Sequence, residues 1–166
     1  MATGTLISVE EYLNTSYSPD MEYVDGELVE IHVGDWLHSL VQSNIIFALR
    51  SRYPHLKVVP ELRSRVRDTR YRLPDVCVML RAPVGKILSE APLIAIETLS
   101  EDDRMSRLIE KLGEYEAVGT PNIWVFDPRL RKMFKFRANA LQEIPTDTIA
   151  TEDSAIELTR EEIFRD

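Results

Sequence analysis

Leu73-Pro74-Asp75-Val76-Cys77-Val78-Met79-Leu80 and Leu93-Ile94-Ala95-Ile96-Glu97-Thr98-Leu99 are the two runs on which the fold turns. Each is short, nearly unbroken in apolar residues, and interrupted by a single acid. Runs of this kind are strands covered on both faces, so helices must lie over them. Downstream, Met105, Leu108, Leu112 and Tyr115 recur at helical spacing, and Gly119-Thr120-Pro121 ends that helix with a Gly cap and a Pro stop. Ile123-Trp124-Val125-Phe126 then supplies another strand, and Met133 to Phe136 pairs back on it through a turn at Arg129–Lys132.

Upstream, Val58 to Arg67 alternates, with Leu62, Ser64 and Val66 on one face and Glu61, Arg63, Arg65 and Arg67 on the other. The pattern predicts one strand with a solvated face, followed by a turn at Asp68-Thr69. Leu37, Leu40, Val41, Ile45, Ala48 and Leu49 predict a long helix from about Trp36 to Arg52, capped by Asp35 and stopped by Tyr53-Pro54. Asp25-Gly26 between Met21–Val24 and Glu27–Ile31 predicts a two-residue hairpin. Capping boxes at Ser8-Val9-Glu10-Glu11 and Thr159-Arg160-Glu161-Glu162 open a short helix near each end. The expected class is α/β: a mixed β-sheet flanked by helices, with an N-terminal helix and β-hairpin, in a single domain over residues 1–166.

Composition narrows the function. The chain has 166 residues, 44% hydrophobic and 29% charged, as in ordinary globular proteins, which excludes collagen-like and intrinsically disordered classes. Cys77 is the single cysteine, so neither an internal disulfide nor a four-cysteine zinc site can form. No apolar run is long enough to span a bilayer, and MATGTLISVEEYL lacks the features of a signal peptide; the expectation is a cytoplasmic protein with no membrane partner. The net charge of −8 disfavours long-range attraction to phosphate, yet a local basic strip acts within about 8–10 Å whatever the global sign.

Asp75 and Glu97 open the chemical argument. A carboxylate inside an apolar strand costs several kcal/mol unless it is paired, hydrogen-bonded or bound to metal. If the two strands are neighbours, alternation puts both acids on one face, where they repel and call for a cation; Mg²⁺ or Mn²⁺ is the natural hard ion. The bland alternative is that each acid accepts local hydrogen bonds or pairs with an arginine. Lys111, at the rim of the helix face formed by Leu108 and Leu112, can reach along the sheet toward Glu97, with Arg104 on the same stripe. Otherwise it is a solvated lysine between Glu110 and Glu114. Arg63, Arg65, Arg67, Arg70 and Arg72 form a basic run that reads either as a solvated face or as a strip tracking phosphates. No Gly-rich phosphate loop or nucleophile-elbow motif is present in the sequence.

MEYVDGELVEI around Glu22, His38, RLPDV at 72–76, IETLS at 96–100, EKLGEY at 110–115 and GTPNIWVFDP at 119–128 follow one another in order. As an ordered set they resemble the Uma2 family, described as restriction endonucleases, within the PD-(D/E)XK nuclease superfamily. The resemblance implies a restriction-endonuclease-like core in which Asp75 and Glu97 are the metal-binding acids. Leu99 stands where the motif's lysine would be, and the resemblance moves that role to Lys111 in the following helix. It implies Glu22 as an additional acid of the site. For His38, a part in the site stands beside a purely local bond at the helix start.

These readings converge on metal-dependent hydrolysis of nucleic acid by a DNA endonuclease. The expected catalytic set is Asp75, Glu97 and Lys111, with Glu22 added by the resemblance; Asp75 and Glu97 are expected to hold Mg²⁺ or Mn²⁺, and Arg63, Arg65, Arg67 and Arg72 to contact nucleic acid, with His38 and Arg104 as further candidates. Cutting both strands of a duplex by symmetry would call for a homodimer. One rival is a nuclease-fold protein that binds nucleic acid or a protein partner without cutting. Another is a glycoside hydrolase using Asp75 and Glu97 as acid and base.

Overall fold

The computed structural model describes residues 5–32 and 34–166. At the start, the Ser8 hydroxyl accepts the Glu11 N–H at 3.1 Å and fixes helix α1 (Val9–Asn14). Strands β1 (Met21–Val24) and β2 (Glu27–Glu30) form the expected hairpin. Asp25 and Gly26 both have positive φ, 50° and 102°, as a type I′ turn requires. The Asp35 carboxylate accepts the His38 N–H at 2.9 Å and caps α2 (Trp36–Arg52), matching the predicted span.

The predicted strand from Val58 to Arg67 is corrected by the structure: it is two strands in different sheets. β3 (Lys57–Pro60) edges the main sheet, whereas β4 (Ser64–Arg67) and β5 (Arg70–Arg72) complete a smaller antiparallel sheet in the order β2-β1-β5-β4. Pro60 has no N–H with which to extend the ladder. Glu61 then turns into the left-handed region (φ 48°) and donates its N–H to the Pro74 carbonyl at 3.1 Å. Alternation alone carries no trace of that break.

The main sheet has the order β10-β9-β8-β7-β6-β3. It comprises β6 (Val76–Met79), β7 (Ile94–Thr98), β8 (Asn122–Asp127), β9 (Lys132–Arg137) and β10 (Ala140–Glu143) together with β3. Only β7 and β8 are parallel, joined by the crossover helix α3 (Met105–Ala117); the other pairs are antiparallel, so the sheet is mixed, as expected. A ribbon of β11 (Thr148–Ala150) and β12 (Glu157–Thr159) leads into α4 (Arg160–Phe164), whose capping box is complete. The β10, β11 and β12 strands lie in a polar stretch whose pattern did not announce them.

Strand alternation divides the core. Val76, Val78, Ile94, Ile96, Trp124 and Phe126 pack toward α2 and α4, while Ala95, Ile123 and Val125 pack beneath Leu108, Leu112 and Tyr115 of α3. Glu97 shares the parity of Ala95 and therefore faces α3. No helix among the described residues is long and apolar enough to cross a membrane.

Candidate active site

β6 and β7 run antiparallel with Val76 opposite Ile96, so one further step along the register sets Asp75 across from Glu97. Asp75 lies just before β6 rather than inside a strand beginning at Leu73. Its Oδ2 accepts the Thr98 N–H at 2.7 Å, and His38 Nε2 lies 3.2 Å from the same oxygen. The Gln42 amide donates to the Asp75 carbonyl at 2.7 Å, so α2 holds this residue by its backbone as well.

Glu97, at the end of β7, is 6% exposed. Its Oε1 accepts from the Tyr115 hydroxyl at 2.7 Å and from Lys111 Nζ at 2.9 Å. Burial pushes its carboxyl up to about 8; Lys111 opposes that rise, and the negative charges of Asp75 and Glu22 reinforce it.

Lys111 reaches inward to Glu97 and is not the solvated lysine between Glu110 and Glu114 of the alternative reading. Its ammonium lies 2.8 Å from Glu22 Oε1 and 2.9 Å from Glu97 Oε1, between two buried carboxylates, and donates to the Leu73 carbonyl at 3.4 Å. Burial works to lower the lysine, but Glu22, Glu97 and Asp75 outweigh it and keep the ammonium charged.

Glu22 on β1 takes the Leu73 N–H at 3.0 Å on Oε1 and Arg72 Nη1 at 2.9 Å on Oε2. Both of its oxygens are occupied by protein donors. Arg72 continues the network by donating Nε to Glu114 Oε2 at 2.6 Å, and Glu114 also accepts from Arg70. Arg70 reaches on to Asp25 and Glu110. Acidic and basic groups thus alternate from Glu97 through Lys111, Glu22 and Arg72 to Glu114, which is how such groups can share an interior.

This network corrects the reading of the arginine run as one face. Arg72 is 7% exposed and turns inward to Glu22 and Glu114. Arg63 pairs with Asp20, donates to the carbonyls of Tyr12 and Thr15, and lies over the Tyr12 ring with 4.4 Å between guanidinium and centroid. The register shift in the β4–β5 ladder and the break at Glu61 allow neighbouring arginines to face different ways. Arg65 and Arg67 remain exposed.

Asp75, Glu97, Lys111, Glu22, His38, Arg72 and Arg104 all line one pocket of ≈ 110 Å³, together with Thr98, Ser100 and Arg107. The pocket thus gathers the expected catalytic set, His38 and Arg104, and leaves Arg63, Arg65 and Arg67 outside. Gly34 matters to its shape, since a Cβ there would lie 2.3 Å from His38 Nδ1. Tyr115, Glu114, Gln42 and Arg107 escaped the sequence reading. Tyr115 counted only as core, although it stands four residues after Lys111 and so shares its side of the helix.

Among the described residues, no three His, Cys, Asp or Glu side chains cluster closely enough to hold a metal by themselves. Two carboxylates nonetheless suit a hard octahedral ion, which commonly takes one or two and fills its other positions with water and phosphate oxygens. Asp75 Oδ1 and Glu97 Oε2 take part in no hydrogen bond among the described residues, so each acid keeps a free oxygen. The donor set fits Mg²⁺ or Mn²⁺.

A family model described as "Uma2: Putative restriction endonuclease" matches residues 9–161. The chain belongs to the Uma2 family. A crystal structure of a "putative nuclease belonging to DUF820" from Anabaena variabilis is similar to this Uma2 protein with a TM-score of 0.81 and 21% identity, over 95% of this chain and 97% of that one. That likeness bears out the expected fold. No curated protein matches the Uma2 chain closely enough to count as a relative.

Proposed function

We propose that this Uma2 protein is a metal-dependent phosphodiesterase that cuts DNA internally. The observation that carries the reading is the placement of Asp75 and Glu97 across antiparallel strands with the Lys111 ammonium 2.9 Å from Glu97. The family description and the fold of the Anabaena protein, itself described as a nuclease, support it. Asp75 and Glu97 would hold Mg²⁺ or Mn²⁺ through their free oxygens, and the ion would supply Lewis-acid polarisation of the phosphate and a more acidic bound water.

The chain's own groups account for the rest. Lys111 is held protonated, so it acts as a hydrogen-bond donor and a positive charge rather than as a base. Its contacts with Glu22, Glu97 and the Leu73 carbonyl fix the position of the charge, which offsets charge gathering on the phosphate oxygens. Glu22, with both oxygens engaged, is a positioning residue: it aims Lys111 and leaves no oxygen for a second ion. His38 steadies Asp75, whose second anchor is the Thr98 N–H. Arg65 and Arg67, outside the pocket, are available to phosphates farther along the strand.

Supercoiled plasmid with and without Mn²⁺ tests the proposal. The wild-type protein should nick or linearise it only with the ion, and Asp75→Ala/Glu97→Ala should leave it supercoiled. A wild type that binds the plasmid but leaves it intact in Mg²⁺ and Mn²⁺ would instead make this a binding protein on a nuclease fold. Sedimentation of the protein with and without duplex reads whether two copies assemble, as symmetric double-strand cleavage requires.

A further inference from the structure

Arg104, Arg107 and Lys111 stand at i, i+3 and i+7 on α3 and its N-cap, which puts them on one stripe of the helix, and all three line the pocket. Lys111 is consumed by Glu22 and Glu97 at the inner end. Arg104 and Arg107, at the outer end, are exposed and have no ion-pair partner among the described residues. The first turn of α3 carries no acid to balance them. Asp103 also lines the pocket, but its carboxylate accepts the Ser100 N–H at 2.7 Å and pairs with neither arginine.

A second observation belongs to the same pocket. Thr98 is 4% exposed, and its hydroxyl oxygen is buried without a hydrogen-bond partner, as is that of Ser100; both residues line this pocket. Buried hydroxyls ordinarily find a partner, and a phosphate oxygen that accepts from the two guanidiniums can also accept from a hydroxyl, so one anionic acceptor would satisfy all of these donors. About 6 Å of helix axis separates Arg107 from Lys111, comparable with the step from one phosphate to the next along a strand.

We infer that Arg104 and Arg107, with the Thr98 hydroxyl, form a subsite for the phosphate adjoining the one to be cut. The inference rests on the phosphodiesterase reading above and deepens it. The substrate class is a phosphodiester chain, gripped at two successive phosphates, rather than an isolated diester.

Two measurements test this on Arg104→Gln/Arg107→Gln, whose melting temperature should match wild type because both side chains are exposed. Binding of a short DNA duplex, followed by fluorescence anisotropy without divalent ion, should lose about two units from the slope of log affinity against log salt. With Mn²⁺, kcat/KM on plasmid should fall about tenfold or more, whereas kcat/KM on bis(p-nitrophenyl) phosphate should hold within about twofold, since that ester has no second phosphate. An unchanged salt slope overturns the subsite, and so do equal losses on both esters, which would put the arginines at the reacting centre. A wild type that hydrolyses neither ester removes the phosphodiesterase reading alone: a slope that still falls in the variant keeps the two arginines as a phosphate-binding pair. A wild type with no affinity for the duplex overturns both.

Discussion

The Lys111 ammonium on α3 and the Glu97 carboxyl group at the end of β7 meet at 2.9 Å at the wall of the pocket, where burial leaves each dependent on the other. Fourteen positions of sequence separate them, and the crossover from β7 into α3 brings the helix back over its own strand. The lysine that the motif lacks beside Glu97 is therefore delivered from the layer above. Its charge is shared with Glu22, so the three groups form a unit in which each substitution has both a chemical and a structural consequence.

Lys111→Met should show both. Loss of the ammonium leaves Glu22 and Glu97 buried near one another without their common partner, and breaking a buried ion pair in this way costs about 3 kcal/mol. Chemical denaturation should register that loss. Cleavage of plasmid should drop by about a hundredfold or more, the scale for removing a positioned charge at the reacting phosphate. Lys86, exposed on a loop, should tolerate the same change in both assays.

Glu97 and Glu22 should pull stability in opposite directions with pH. Burial holds the folded Glu97 carboxyl up at about 8, above its unfolded value, so its contribution is fully present in acid and is lost as pH rises through 8. Burial also works to raise Glu22, but Lys111, Arg72 and the Leu73 N–H outweigh it and hold Glu22 below the ordinary carboxylate range. Its contribution is present at neutral pH and lost on acidification. In metal-free buffer, Glu97→Gln should gain on wild type as pH climbs from 5 to 9, and Glu22→Gln should be less sensitive than wild type to acid. Urea midpoints from about pH 3 to pH 9 would read both, the Glu22 effect below the ordinary carboxylate value and the Glu97 effect above it, and parallel curves for all three proteins would contradict the assignment.

Divalent ions should stabilise the native state by mass action. At a hundredfold excess over its Kd an ion adds about 2.7 kcal/mol, or about 5–10 °C for a domain of this size. Mg²⁺ or Mn²⁺ should raise the melting temperature of wild type, and Asp75→Ala or Glu97→Ala should abolish the rise. Glu22→Gln should retain most of it, because Glu22 has no free oxygen to give the ion. A wild type indifferent to millimolar ion would count against the site.

Strands β6 and β7 were legible because apolar content on both faces is a property of the strand itself. The α2 helix, its Asp35 cap and the Asp25-Gly26 turn were legible because local chemistry specifies them. The β3–β4 break at Glu61 was hidden, since a residue whose side chain fits the alternation can still leave the sheet through its φ. The position of Lys111 was half visible: its helical phase was readable, but Glu22 arrives from another sheet, and sequence distance carries no signal of that approach. Tyr115 and Glu114 were hidden for the same reason, because their polar atoms meet partners fixed only by tertiary packing.

The arginines give the sharpest separation of structural from nucleic-acid roles. Arg63 is largely buried, pairs with Asp20, and stacks on Tyr12, so its loss empties a polar and aromatic junction between α1 and β4. Arg63→Ala should cost about 2 kcal/mol, as an ion pair and a cation–π contact are lost together. It should leave the salt dependence of DNA binding unchanged wherever the variant is folded, because its guanidinium is already occupied by protein. Arg65→Gln/Arg67→Gln should do the opposite. Both side chains are exposed and have no ion pair among the described residues, so stability should shift by no more than about 0.5 kcal/mol. Each that meets a phosphate should take about one unit from the salt slope. Thermal melts and anisotropy titrations on the two variants make the comparison. Should Arg65→Gln/Arg67→Gln keep the full wild-type slope, these side chains are an ordinary solvated edge, and the phosphate contacts lie elsewhere on the protein.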